Sequence, residues 1–125
     1  MKLFIFYMAA LMSLSSTIDL TGRWETGLSE KGNVTGVVFK SDSTFEGYVN
    51  RKPFVSGTYT FNNEDSVLSL QDGGCMGIIA TYKVNFFSNA DSMRFTAIDD
   101  ACAGRKEGMQ KLVMGRVKRL IIYQN

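Results

Sequence analysis

The chain has 125 residues, with 14 Lys or Arg, 12 Asp or Glu and no histidine, for a formal net charge of +2. That length fits one domain, and so even a balance of charge excludes a general attraction to nucleic acid or anionic lipid. Without histidine, the Ser/His/Asp and Cys/His arrangements of nucleophilic catalysis cannot be built and the commonest metal ligand is missing.

Residues 1–16 read as a leader and not as part of the fold. Lys2 is followed by an apolar run from Leu3 to Met12 and then by small residues from Ser13 to Ser16, the order of a secretory signal peptide. The competing reading, an uncleaved membrane helix, is disfavoured because the run falls well short of the ~20 residues that span a bilayer. The expected mature domain is residues 17–125, a monomer with no transmembrane segment, secreted or periplasmic. Its formal charge drops to +1 when Lys2 leaves.

Past the leader, no run of ten or more residues has helical apolar spacing, and short alternating segments predict strands instead. The first runs from about Leu20 to Leu28 and holds the only tryptophan, Trp24. The second is VTGVVFK (34–40). The third is TFEGYVN (44–50), with Phe45, Gly47 and Val49 on one face. The fourth, FVSGTYTF (54–61), sets Val55, Gly57, Tyr59 and Phe61 against Ser56, Thr58 and Thr60. VLSLQ (67–71) is a short fifth. The sixth, ATYKVNFF (80–87), places Tyr82, Val84 and Phe86 together, and the seventh, SMRFTAI (92–98), does the same for Met93, Phe95 and Ala97. The eighth spans about Lys111 to Val117, with an extension toward Ile122.

SEKGN, KSDS, NRKP, NNEDS, DGG and SNAD separate these segments and are tight-turn compositions. Such short links make sequential strands antiparallel neighbours. Only DDACAGRKEG (99–108) is long enough to be a true loop. Eight strands with one apolar face avoid exposed edges by closing, which predicts an all-β, eight-stranded antiparallel up-and-down barrel. Its interior either is filled by side chains or holds one small ligand. Gly36, Gly47 and Gly57 punctuate the expected inward face.

Cys75 and Cys102 are the only cysteines, and an even number in an exported chain predicts one disulfide. NNEDS (62–66) offers oxygen donors without the spacing of a calcium loop. Nothing implies a metal or a cofactor, and the sequence points away from enzyme chemistry. The basic residues after Gly104 read as a solvated face, since nucleic-acid stripes come with interleaved aromatics.

Gly22-Arg23-Trp24 in the first strand of an eight-strand meander resembles the Gly-x-Trp signature of the lipocalins and the wider calycin superfamily. SGTYTF, DGGCMGIIATYKV and DDACAGR are similar to segments of small secreted bacterial lipocalin-like proteins. The resemblance implies that Trp24 closes one barrel end and that Arg116 or Arg119, from the last strand, lies across the indole. It also implies a small hydrophobic or amphipathic molecule bound inside, with Phe45, Val55, Tyr59, Tyr82, Val84, Met93 and Phe95 as candidate lining.

A second reading makes the barrel a protein-binding module, such as a secreted or periplasmic protease inhibitor, with those residues filling a solid core. An interior above ~300 Å3 favours the first and a filled one the second. In the loop 99–108, Arg105 is placed either to meet an anionic group at the mouth or to clasp Asp99 or Asp100.

Overall fold

The computed structural model describes residues 17–118. The leader expected at 1–16, Arg119 and the extension of the last strand toward Ile122 lie outside the described residues. Eight strands, β1 (Gly22–Glu25), β2 (Thr35–Phe39), β3 (Thr44–Val49), β4 (Lys52–Asn62), β5 (Val67–Asp72), β6 (Ile79–Phe87), β7 (Ser92–Asp99) and β8 (Val113–Arg116), follow in sequence order. Each pairs antiparallel with the next, and β8 returns to β1 through Trp24 opposite Arg116, so the sheet is a closed barrel. Tight hairpins make this possible. Between β3 and β4 only Asn50 and Arg51 intervene, both at positive φ (52° and 71°), the geometry of a two-residue turn whose twist matches the strands it joins.

Alternation along the strands sends Phe45, Tyr59, Leu68, Leu70, Tyr82, Val84, Met93, Phe95 and Met114 into one buried cluster. Leu20 and Trp24 complete it where β1 begins and β8 ends. Two bulges interrupt the pattern. Opposite Gly47 and Tyr48, β4 carries Phe54 as an extra residue, and opposite Thr81 and Tyr82, β7 carries Ile98. An extra residue bends the strand and leaves its own side chain unpaired, and both Phe54 (64%) and Ile98 (57%) are exposed.

Two sequence expectations are corrected. The tract 99–108 is not all loop, because Ala103–Lys111 forms a helix, α1. It contains Gly104 and Gly108, has no side-chain N-cap and buries no residue, so neither propensity nor periodicity announces it. Tertiary contacts hold it instead, through the disulfide at its N-cap residue Cys102 and through Met109 against the core.

Gly36 is also not on the inward face. Trp24 points in, so Arg23 and Glu25 point out, and Gly36 pairs with Glu25 on one side and Tyr48 on the other. The Tyr48 ring lies over Gly36 where any Cβ would collide with it. Its hydroxyl donates to Glu25, and Arg23 stacks on the ring 5.2 Å from the centroid. The glycine admits an outer-wall aromatic.

Candidate functional site

The two barrel ends differ. At the end where β1 starts, Trp24 is fully buried and donates from Nε1 to the Leu20 carbonyl at 3.0 Å. The Arg116 guanidinium sits 4.2 Å from the indole centroid. Its Nη atoms donate to the Thr21 and Asp19 carbonyls, pinning the chain that enters β1 across this end. Of the two arginines expected over the indole, Arg116 occupies the place. This end is shut.

At the opposite mouth a 3-10 turn, Gly73–Cys75, follows β5, and α1 follows β7. Cys75 and Cys102 are disulfide-bonded with Cα atoms 6.0 Å apart, joining the two segments. Arg105 joins them again. Its Nε and Nη2 donate to the two Asp100 oxygens at 2.9 Å each. Nη1 donates to Asp72 Oδ2 at 3.0 Å and Nη2 to the Ile78 carbonyl at 2.9 Å.

Both carboxylates are further bound, Asp72 by the Gly74 N–H and Asp100 by the Cys102 N–H and the Tyr82 hydroxyl. Burial pushes the Asp100 carboxyl up, but the hydrogen bonds from Arg105, Tyr82 and Cys102 outweigh it and bring the pKa to about 2. Tyr82 is raised far above its ordinary range by burial and by Asp100. Asp100, held through Arg105, also raises the guanidinium pKa. With its side chain 9% exposed and its fork filled by protein oxygens, Arg105 takes the clasp geometry, with Asp72 and Asp100 as partners. Asp99 is exposed and plays no part.

Among the described residues, an apolar recess of about 90 Å3 lies beneath α1. Phe45, Val55 and Phe95 line it, together with Val37, Phe39, Phe54, Leu70, Met109, Leu112 and Met114. The other expected lining residues, Tyr59, Tyr82, Val84 and Met93, are core filling away from the recess, and the Tyr59 hydroxyl donates to the Lys40 carbonyl. Sequence reasoning missed Met109 and Leu112, which close the recess from above. Their one signal is that they are the apolar pair ending a polar tract.

No family model and no curated protein matches this chain. An eight-stranded antiparallel barrel with one disulfide is consistent with a lipocalin-like fold. Among the described residues no helix is long and apolar enough to cross a membrane, and no group of three or more Cys, Asp or Glu side chains is placed to hold a metal ion.

The recess shares part of its lining with the surface. Phe54 and Val55 also border an open groove of about 390 Å3 between β4 and the 3-10 turn, completed by Glu46, Pro53, Ser56, Gly73 and Gly74. Met76, Ile78 and Ile79 are exposed at the same mouth.

Proposed function

We propose that the protein is an exported, non-enzymatic binding module of lipocalin-like architecture. It engages a protein partner at its disulfide-bearing mouth and carries no molecule inside. The observation that carries this reading is the 90 Å3 of the apolar recess among the barrel's inward side chains, against the ~300–1,000 Å3 of small-molecule sites. Support comes also from the exposed Phe54, Met76, Ile79 and Ile98, large apolar side chains gathered on one rigid mouth. The disulfide fits an oxidising compartment.

Two measurements test the reading. Native mass spectrometry of the protein purified from its own host is expected to show the polypeptide mass alone, and a stoichiometric small molecule retained in the barrel refutes the filled-core reading. A photo-crosslinking residue at Met76 is expected to capture a polypeptide in the exporting cell, whereas one at Asp42, by the shut end, captures none. Equal capture at both sites refutes the assignment to the mouth.

A further inference from the structure

A closed barrel has no strand edges, but this one has a notch. β4 is 11 residues long and β5 six. On one side β4 pairs with β3 from Lys52 onward. On the other its pairing with β5 begins only at Gly57, opposite Asp72. Among the described residues no strand residue therefore lies beside Lys52–Ser56 on the β5 side. The Tyr59 N–H donates to Ser43, toward β3. By alternation Thr58 and Ser56 face the other way. Thr58 finds Gln71 there, and Ser56 finds none.

Beyond Asp72 the chain turns into the 3-10 segment, whose Gly73 and Gly74 border the groove without adding a ladder pair to β4. Cys75 is bonded to Cys102, and the Asp72 carboxylate is held by Arg105. The groove of about 390 Å3 is the space this leaves, and it shares Phe54 and Val55 with the lining of the apolar recess.

We infer that the notch is a docking site for an extended peptide segment of a partner protein, which pairs with the Lys52–Ser56 edge and places one aliphatic side chain in the recess. This deepens the protein-binding reading and rests on it. Unpaired strand backbone is complementary to an extended chain, which supplies the missing ladder while alternate side chains fill pockets. The size of the recess fixes the anchor. At ~30 Å3 per water-sized group, 90 Å3 holds about three heavy atoms, the content of a small aliphatic side chain such as Val. A free molecule that small gains too little from burial to bind tightly, so the group must arrive attached to something that also grips the edge.

The test is selection of a displayed library of randomised octapeptides on the intact, disulfide-bonded protein, counter-selected on Ser56→Pro, which removes the open N–H. Enriched peptides are expected to share one aliphatic residue and to bind Ser56→Pro at least tenfold more weakly. Replacing the aliphatic residue by Asn is expected to weaken binding to a similar degree. Because Ser56→Pro could disturb folding, the second arm uses the unaltered protein. N-methylation of alternate peptide amides weakens binding at least tenfold in one register and little in the other, and NMR shifts gather at Lys52–Ser56, Gly73, Gly74 and the Met109 methyl.

Failure of any sequence to enrich, equal affinity for Ser56→Pro, indifference to N-methylation in both registers, or shifts centred elsewhere overturns the inference. Dimerisation that rises with concentration and vanishes in Ser56→Pro assigns the edge to a second copy of this chain and overturns it also. A partner captured at the mouth that binds Ser56→Pro undiminished removes the notch alone. A small molecule retained in the barrel instead removes the reading beneath it.

Discussion

Replacing Arg105 by Met keeps most of the side-chain volume and removes the charge that two buried carboxylates share. Asp72 and Asp100 would each lose their guanidinium contact, and breaking a buried pair from one side costs ~3–5 kcal/mol, because the remaining charge is left uncompensated. The pH dependence gives an independent measure. Asp100 has a folded pKa of about 2 against an ordinary 3.8. Its folded value is depressed, so its stabilisation is complete above pH 3.8 and is lost as pH falls through 3.8 toward 2. The interval amounts to ~2–3 kcal/mol at neutral pH, of which more than half is gone by about pH 2.5. In Arg105→Met the main stabilising partner is absent while burial still pushes the carboxyl up, so the variant takes up its proton at higher pH and gains where the parent loses. Urea unfolding at pH 7 is expected to show a loss of ~3–5 kcal/mol, with the midpoint shifted and the slope unchanged. At about pH 2.5 the gap should narrow by at least ~1 kcal/mol. A gap that is constant from pH 7 to 2.5, or below ~1 kcal/mol throughout, would refute the buried-clasp argument.

Trp24→Ala is expected to cost ~3–5 kcal/mol by calorimetry, since it empties the shut end, and Arg116→Gln less, ~0.5–2 kcal/mol for the lost cation–π contact. Gly108→Ala meets no atom within 4 Å and is expected to raise stability by ~0.5–1 kcal/mol; a fall would show that α1 needs its flexibility. Gly57→Ala has the opposite prospect, because a Cβ there overlaps the Gln71 carbonyl and the Asp72 backbone, and a variant that folds with an unchanged melting temperature would contradict this packing. Removing the disulfide by Cys75→Ser with Cys102→Ser opens a loop of 27 residues, for an expected loss of ~3.5 kcal/mol by chain entropy, read as a lower urea midpoint.

The strand set was legible in the sequence because its cause is local. A period-two pattern can bury one face only as a strand, and clusters of Asn, Asp, Gly and Ser between segments leave no room for crossovers, so an antiparallel meander follows. The pairing of Cys75 with Cys102 needed only their number and the reading of an exported chain. Trp24 and a basic residue from the last strand came from a motif, but the choice of Arg116 required the register that sets it opposite Trp24.

What the sequence could not contain was anything decided between distant segments. α1 has no apolar stripe, and its residues are helical because a disulfide, an ion cluster and Met109 hold them. Gly36 looked inward until the partner strand brought Tyr48 over it. Arg105 and Asp72 lie 33 positions apart, and no spacing rule links them. The volume left inside, like the open edge of β4, is a remainder. It depends on how side chains from eight strands fill one cylinder and on where β5 stops beside β4. Alternation determines which residues enter the barrel, while only the closed tertiary packing decides how much room they leave.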